Sequence, residues 1–388
     1  MPGSSHRSFD VIVLGVGSVG SATCHHLAQK GAKVLGLEQF NVPHERGSHH
    51  GSSRMIRRAY YEHPDYVPLL QRAYELWEEL QEDTEDKFLH ITGGLYIGSQ
   101  DGSIFPGSLR SAQEHKLEHS VLTAQEISER YPALRIPETL SGFYEDRAGF
   151  LVPGQAISSY ARSALRHGAI ISQGERLTSW ETHPDHVEVI TDKGSYQAAH
   201  LVITAGAWSG KAAQQPGLEL HVTRQLLAWF EPLGAPERFA PGNFPCWFIE
   251  TDSPYGHYGF PVIDGDPGLK IALHRPGEII TPERLHEEGN EPRPGEIDQL
   301  RGVLDEYFPG CAGNLARTRT CMYTNSADGH FIVGSHPGKE RVSIACGLSG
   351  HGFKFSSVLG EILADLALEG RTSLPIDFLS PQRHQAGG

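Results

Sequence analysis

A stretch near the start of the chain, FDVIVLGVGSVGSATCHHLAQKGAKVLGLEQF, constrains the fold most strongly. It covers residues 9–40 and has the pattern of a strand, a glycine-rich turn, a helix and a second strand. This order is that of a βαβ unit that binds a nucleotide. Gly15, Gly17 and Gly20 have the GxGxxG spacing, and the acidic Glu38 ends the second strand. The stretch therefore predicts a dinucleotide-binding site.

Each of these residues has a physical role in such a unit. Gly15 permits the tight turn, Gly17 lets the backbone approach a pyrophosphate, and Gly20 lets the helix pack on the strand. Glu38 is then placed to accept hydrogen bonds from the adenosine ribose. A glycine-rich turn without a ligand is the alternative, but the two strands and the acid at the expected distance favour the binding site.

The GxGxxG pattern does not separate NAD from FAD. The later glycines Gly347, Gly350 and Gly352 have a different spacing, so the sequence has no second strand–GxGxxG–helix unit. If the single dinucleotide is FAD, the electrons must come from an organic substrate and leave to a small acceptor or a partner protein. An oxidase is then favoured over a reductase.

Further patterns along the chain predict its organisation. Helical spacing of apolar residues recurs at 67–81, 156–168 and 295–308, a β-hairpin is expected within 186–206, and residues 342–370 have a strand, a glycine-rich turn and a long helix. These signals predict an α/β fold with a discontinuous Rossmann-like FAD-binding domain and a second substrate domain on a mixed β-sheet. The expected bounds are 1–90, 150–220 and 321–388 for the FAD-binding domain, and 91–149 and 221–320 for the substrate domain.

Composition excludes several classes of protein. The formal net charge of -14 disfavours nucleic acid or an anionic membrane as a partner. The five cysteines form no CxxC pair, so neither a metal site nor a disulfide framework is expected, and a reducing compartment fits best. The sequence has no leader pattern and no apolar run long enough for a membrane span. We expect a cytoplasmic protein.

Two segments are candidates for binding an anion. GSHHGSSRMIRRAYYEHPDY, residues 47–66, contains a cluster of basic side chains, and GLSGHGFKFSS, residues 347–357, contains two more. These side chains are His49, His50, Arg54, Arg57 and Arg58 in the first segment, and His351 and Lys354 in the second. A solvated basic patch is the alternative for either segment alone, but beside a nucleotide fold the two favour one shared anionic ligand.

Several motifs together resemble the monomeric sarcosine oxidase and N-methyltryptophan oxidase family of flavoproteins. They are FDVIVLGVGSVG, GSHHGSSRMIRRAY, YGFP, GLKIALH, CMYT and GLSGHGFKFSSVLGE, in that order from residue 9 to about residue 370. The resemblance implies a monomer that binds FAD and oxidises the C–N bond of a secondary amino acid to an imine. Water would hydrolyse the imine, and O₂ would reoxidise the flavin and give H₂O₂.

The resemblance also gives Cys321, in the CMYT motif, a covalent bond through sulfur to the flavin ring. A thiolate is a good soft nucleophile, and such a bond would fix the ring in place. Without the motif, Cys321 would be interpreted as a small buried core residue.

Other residue roles follow from the same resemblance. Arg57 and Lys354 would bind the substrate carboxylate, and Arg54 and His50 would complete a positive shell beside the flavin. Lys270 would lie by the flavin ring and stabilise the negative charge that develops on oxygen. His274 matches an active-site histidine. The remaining candidates are Tyr258, Tyr323 and Phe248 as pocket walls, and Ser48, His49, Gly350 and Gly352 as cofactor-binding residues; the aromatic residues and His274 could equally be core residues.

Two departures from the family pattern leave the substrate open. Tyr61, Glu62, His63 and Pro64 replace a small Gly-Glu-Gly segment, and Phe248 stands near the position of a pocket methionine. Sarcosine is the expected substrate, with N-methyltryptophan, L-pipecolate, L-proline and a fructosyl amino acid as competitors. A flavin dehydrogenase with another electron acceptor and a non-catalytic nucleotide-binding protein are the alternative functions.

Overall fold

The computed structural model describes residues 7–214, 218–234, 236–252 and 254–384. The strands in these ranges are β1 Arg7–Leu14, β2 Val34–Glu38, β3 Arg54–Ile56, β4 Leu89–Ile91, β5 Gly94–Gly98, β6 Ser120–Thr123, β7 Ser141–Glu145, β8 Gly149–Leu151, β9 Ile170–Gln173, β10 Leu177–Thr182, β11 Val187–Thr191, β12 Ser195–Ile203, β13 His221–Phe230, β14 Cys246–Asp252, β15 Tyr255–Gly259, β16 Leu269–His274, β17 Leu315–Asn325, β18 Ile332–Ser335 and β19 Val342–Cys346.

The α-helices are α1 Ser18–Gln29, α2 Tyr66–Thr84, α3 Ile104–Glu114, α4 Ala124–Arg130, α5 Pro153–Arg166, α6 Ser209–Ala212, α7 Pro282–Glu288, α8 Glu296–Tyr307 and α9 Ser356–Glu369. Short 3₁₀ helices lie at Gly206–Trp208, Pro236–Phe239, Phe353–Phe355, Asp377–Leu379 and Pro381–His384. Within the described ranges, no helix is both long and apolar enough to span a membrane.

The first sheet contains the predicted βαβ unit. Its strand order is β10-β11-β12-β1-β2-β9, with β19 on β12 and β18 on β19. β1 runs parallel to β12 and to β2, and β19 runs parallel to β12. The carboxyl ends of β1, β2 and β12 therefore meet at one edge, where open α/β sheets bind their ligands. The prediction of a Rossmann-like α/β unit is confirmed.

The second sheet has the order β17-β13-β16-β15-β14-β5-β7-β6. It is mixed, as predicted, because β14 and β5 are parallel whereas their other neighbours are antiparallel. β17 is continuous across residue 321 and pairs with β13 along its length. The division into two domains at the bounds given above stays a prediction.

Helix packing follows the apolar patterns in the sequence. The predicted stripe of α2, Leu70, Tyr74, Trp77 and Leu80, is buried throughout, with exposures of 0 to 4%. α1 packs between α5 and α9, and α2 packs on α9. The predicted helices at 156–168 and 295–308 are α5 and α8, and the predicted hairpin is β11 and β12.

Candidate functional site

A cavity of about 930 Å³ extends from the glycine-rich turn after β1 to the segment before α9. Strands of both large sheets contribute to its walls, so it lies where the two sheets approach each other. The predicted site residues on its wall are Gly15, Gly17, Glu38, Ser48, His49, Arg54, Arg57, Phe248, Tyr258, His274, Cys321, Tyr323, Gly350, Gly352 and Lys354. Three other predicted site residues, Gly20, His50 and Lys270, do not line the cavity.

The glycine-rich turn forms one end of the cavity. Gly15 and Gly17 line it, and α1 begins immediately after Gly17. A helix N-terminus of this kind carries free backbone N–H groups that suit a pyrophosphate. Gly20 lies near the start of α1, where a Cβ atom would be 1.8 Å from the Gly15 carbonyl oxygen. Close packing of helix on strand is therefore possible only without a side chain at residue 20.

Glu38 is held in place at the end of β2. Its carboxylate accepts hydrogen bonds from the backbone N–H of Val16 at 2.9 Å and of Phe40 at 3.0 Å. Burial raises the pKa of Glu38, and the two backbone donors oppose that rise. The carboxylate is thus oriented toward the cavity with acceptor positions left for hydroxyl groups.

Aromatic side chains that the sequence did not predict enclose this end of the cavity. Trp208 lies 5.6 Å from the Phe40 ring and stacks on His286 of α7 at 6.4 Å. The Trp208 indole N–H also donates to Glu283 of α7 at 3.1 Å. These contacts connect segments far apart in the chain, so local sequence patterns gave no signal for them.

Two residues of the cavity wall carry unpartnered polar atoms. The Ser48 and Thr324 hydroxyl oxygens are buried and have no hydrogen-bond partner among the residues described. Both residues line the cavity. Buried hydroxyl groups are normally hydrogen-bonded, so these two fit a polar ligand in the cavity. The residues present therefore suit a dinucleotide such as FAD.

Two of the five buried cysteines, Cys321 and Cys346, line the cavity. Burial raises the pKa of both thiols, to about 12 for Cys346. At Cys321 the positive charges of Arg54 and Lys270 oppose this rise in the pKa of the thiol. At Cys346 only Arg383 opposes it. A thiolate at Cys321 is therefore the better supported of the two.

Arg54 and Lys270 both lie near Cys321, Arg54 on the cavity wall and Lys270 behind it. Arg54 lines the cavity and donates to the Ser48 carbonyl at 3.0 Å and to the Ser53 carbonyl at 2.8 Å. Lys270 lies behind the wall, where it is 1% exposed and donates to the Ser53 carbonyl at 2.9 Å. Burial and the nearby Arg54 lower the pKa of Lys270 well below its usual value. Asp266 opposes this fall in pKa, but its carboxylate is ion-paired with Arg317.

The cluster of basic residues at 47–66 does not act as one anion site. Burial lowers the pKa of His49 to about 3 and of His50 to about 4, so both are neutral at physiological pH. Arg58 turns away and donates from Nε to Glu145 at 2.9 Å. Arg58 therefore leaves the cluster, because Glu145 is buried in the core and needs a partner. That the other basic side chains of the two segments share one anionic ligand stays a prediction.

Arg57 and Lys354 lie at the far end of the cavity, and both lie close to the Tyr60 ring. The Arg57 guanidinium carbon is 4.3 Å from the Tyr60 ring centre, and Lys354 Nζ is 5.2 Å from it. Arg57 already binds Glu62, a contact that the sequence did not predict. Burial alone would raise the pKa of Glu62, but Arg57 overrides it and lowers this pKa to about 2. Burial lowers the pKa of Lys354 to about 7.

Aromatic rings form the wall beside these two cations. His274 lies between Phe248 at 5.9 Å and Tyr258 at 6.3 Å, and its Nδ1 is 3.2 Å from the Tyr323 hydroxyl. Burial lowers the pKa of His274 to about 4, so the ring is neutral. A Cβ atom at Gly350 would lie 2.4 Å from the Tyr323 ring, which explains the glycine at this turn. The wall is apolar with two hydroxyl groups, and it suits a small organic molecule.

The chain matches known proteins over nearly its full length. The profile of the family described as FAD dependent oxidoreductase matches residues 10–366. The monomeric sarcosine oxidase of Streptomyces avermitilis is 41% identical over 378 residues, which are 97% of this chain and 98% of that protein. The N-methyl-L-tryptophan oxidase of Salmonella dublin is 37% identical over 373 residues, with 94% and 96% covered. Among solved structures, the open form of NikD, described as an unusual amino acid oxidase essential for nikkomycin biosynthesis, has a TM-score of 0.84 at 26% identity, with 97% of this chain and 98% of that chain covered.

Proposed function

Because this chain belongs to the FAD-dependent oxidoreductase family, we propose that it is an FAD amine oxidase that acts on the C–N bond of secondary amino acids. The observation that carries the proposal is the single cavity that joins the glycine-rich turn to the end with Arg57 and Lys354. A nucleotide and an amino acid carboxylate would thus be bound in one continuous space.

Three groups of residues would hold FAD in this cavity. The backbone of Gly15 and Gly17 would bind the pyrophosphate at the start of α1, and Glu38 would accept from the ribose hydroxyls. Ser48 would supply its unpartnered hydroxyl. His49, Gly350 and Gly352 would shape the wall around the cofactor. When bound, FAD accepts the hydride equivalent that is removed from the carbon next to the substrate nitrogen.

We place the covalent attachment of the flavin at Cys321. The bond would join Sγ to the methyl carbon at position 8α of the ring. Its formation would release the thiol proton and one methyl proton, and the two electrons left over would pass to O₂ as the oxidant. The support is the cavity-facing thiol and the two cations near it, Arg54 and Lys270, which favour the thiolate.

The substrate end would hold an amino acid by its charge and its size. Lys354, with Arg57, would bind the carboxylate, and this fixes the nitrogen in the cavity. Neutral His274 and the hydroxyl groups of Tyr258 and Tyr323 would orient the amine and exclude water. The substrate amine must be unprotonated when its C–H bond breaks, and the imine that forms is then hydrolysed to an amine and an aldehyde.

Sarcosine is the substrate that we propose. Tyr61 and Phe248 meet edge to face at 5.7 Å and line the cavity, so this side of the pocket is narrowed by two large rings. Sarcosine has no side chain on its α-carbon, so it fits beside these rings more readily than an amino acid that carries an indole. Sarcosine is therefore favoured over N-methyltryptophan, L-pipecolate, L-proline or a fructosyl amino acid.

Oxygen would be the electron acceptor, and Lys270 would support its reaction. A buried cation near the flavin stabilises negative charge that develops on oxygen as it accepts electrons. Arg54 and His50 would keep Lys270 and the 48–53 segment in position, since Arg54 is bonded to the carbonyls of Ser48 and Ser53. The overall reaction transfers two electrons and two protons from the substrate to O₂ and gives H₂O₂.

A peroxide-coupled assay over secondary amino acids tests the proposal. The panel holds sarcosine, the four competing substrates and N-methylethylamine, which lacks a carboxylate. We expect peroxide from sarcosine and none from the amine. Substrate-dependent reduction of a redox dye without peroxide would indicate a dehydrogenase instead, and no reaction with either acceptor would indicate a non-catalytic nucleotide-binding protein.

A further inference from the structure

Lys354 is held by a short chain of polar contacts that runs through Tyr60, which does not line the cavity, and His351, which does. Its Nζ donates to the His351 carbonyl at 2.8 Å and lies 3.5 Å from the Tyr60 hydroxyl oxygen. The Tyr60 hydroxyl is in turn 2.5 Å from His351 Nδ1. The other ring nitrogen of His351, Nε2, is 3.1 Å from the carbonyl oxygen of Gly329, an exposed residue. The Trp77 indole N–H bonds the Lys354 carbonyl at 2.9 Å and fixes the backbone.

The direction of each hydrogen bond in this chain follows from its last acceptor. A carbonyl oxygen only accepts, so His351 Nε2 must carry a hydrogen. Burial lowers the pKa of His351 to about 3, so the ring is neutral and its Nδ1 has no hydrogen. Nδ1 must then accept from the Tyr60 hydroxyl. The Tyr60 oxygen therefore presents only lone pairs to Lys354.

Both polar neighbours of Lys354 Nζ in this chain are thus acceptors. Acceptors stabilise the ammonium form of a lysine and do nothing comparable for the neutral amine. Burial and Arg57 disfavour the ammonium form, whereas the Glu62 carboxylate favours it. Besides Glu62, the groups that can stabilise the ammonium form are the two acceptors in this chain of contacts, and the orientation of the Tyr60 hydroxyl depends on the tautomer of His351.

We propose that Tyr60 and His351 are positioning residues that keep Lys354 charged, so that it can bind the carboxylate of the substrate. The inference rests on the proposed function, because it assumes that Lys354 binds a carboxylate. In this role the Tyr60 hydroxyl and the His351 ring act through Lys354 and do not themselves bind the carboxylate. The other titratable groups around the chain are Arg57, Glu62, Tyr66, His274 and His330.

Carboxylate binding at Lys354 should weaken as the pH rises. Lys354 is charged below its pKa of about 7, so carboxylate binding is strong there and weakens as the pH rises through that value. Loss of the Tyr60 acceptor lowers this pKa further. Carboxylate binding should then begin to weaken at a lower pH than in the wild type.

Acetate titrations of the holoenzyme across about pH 5.5 to 9 test the inference, with the visible flavin absorbance as the readout of binding. Tyr60→Phe keeps the ring that faces Arg57 and Lys354 and removes only the hydroxyl. We expect affinity close to that of the wild type at the acid end, and binding about two- to threefold weaker near pH 7.5, because the alkaline loss moves down by about half a pH unit.

His351 provides the matched pair of variants. His351→Gln keeps an acceptor for Tyr60 and a donor for the Gly329 carbonyl, so we expect the pH profile of the wild type. His351→Leu removes both groups, so we expect the profile of Tyr60→Phe. A merely structural role would change affinity equally at every pH, and it would give Gln no advantage over Leu.

Two results would overturn the inference alone: a Tyr60→Phe profile identical to that of the wild type, or a loss of affinity that is uniform in pH. The variant Lys354→Met separates this failure from failure of the proposed function. If acetate binds to Lys354→Met with the affinity and alkaline loss of the wild type, then Lys354 does not bind carboxylates, and both the inference and the proposed carboxylate site are wrong.

Discussion

The Arg57 guanidinium donates from Nη2 to both carboxylate oxygens of Glu62, at 2.8 and 2.7 Å. Its Nη1 donates to the Ala59 carbonyl at 2.9 Å, and the whole side chain is 3% exposed. Glu62 therefore occupies Arg57 with the same chemical group that a substrate would offer. A substrate carboxylate must compete with Glu62 or share the guanidinium with it.

Replacing Glu62 by Gln should strengthen carboxylate binding. The charge that competes for Arg57 is removed while the size of the side chain is kept. We expect the dissociation constant of acetate to fall at least about threefold, measured near pH 6, where Lys354 is charged. Glu75→Gln on the exposed face of α2 is the control. Weaker binding in Glu62→Gln would mean that Glu62 supports the carboxylate site instead of competing for it.

If the flavin is bound covalently to Cys321, substitution of this cysteine should release the flavin, whereas substitution of Cys346 in the same cavity should not. After acid precipitation of wild type and of Cys346→Ser, the yellow colour should stay with the protein. In Cys321→Ser the colour should pass into the supernatant, because the serine hydroxyl is a far weaker nucleophile than a thiolate. Colour in the supernatant of wild type would exclude a covalent bond, and colour retained by Cys321→Ser would place it at another residue.

Lys270→Met tests the role of the buried cation in the oxygen reaction. Met is of similar length and suits the apolar contacts with Trp229 and Phe260. We expect reoxidation of the reduced enzyme by O₂ to slow at least about tenfold, followed by stopped-flow absorbance, because a preorganised charge is lost. Reduction by substrate should change much less. Equal rates of reoxidation in Lys270→Met and in the surface variant Lys339→Met would contradict this role.

The contact of Tyr61 with Phe248 predicts how the pocket selects its substrate. Tyr61→Gly should open this wall and raise the ratio of kcat/KM for N-methyltryptophan to that for sarcosine by at least about tenfold. Tyr61→Phe keeps the ring and should leave the ratio unchanged. A ratio that is unaffected by Tyr61→Gly would show that the side chain of the substrate lies against another part of the cavity.

Local pattern was sufficient to predict much of the fold. The glycines and Glu38 of the βαβ unit, the stripe of α2 and the hairpin before Gly206 are all determined by residues close in sequence. Motifs also predicted most of the residues that line the cavity. The resemblance was needed for Cys321, Tyr323 and Phe248, which lie within strands, because a local pattern there indicates only a core residue.

The contacts that the sequence did not predict are mainly ion pairs. One joins residues that are far apart in the chain, and another occupies a side chain that was expected to bind the substrate. Arg58 pairs with Glu145, which lies 87 residues away, so the segment 47–66 gave no indication that it would leave the cluster. Glu62 is only five residues from Arg57, so the two opposite charges close together in the sequence could have predicted this ion pair. The position of Lys270 behind the cavity wall depends on how its strand meets the 48–53 segment, which no local pattern specifies.

Anaerobic mixing of the holoenzyme with sarcosine, followed by admission of air, tests whether the cavity oxidises a secondary amino acid. We expect sarcosine to bleach the visible flavin absorbance. Air should then restore the absorbance, and H₂O₂ should form in an amount equal to the flavin reduced. Flavin that stays oxidised with sarcosine and with every other secondary amino acid of the panel would contradict the proposal that this cavity is the site of an amine oxidase.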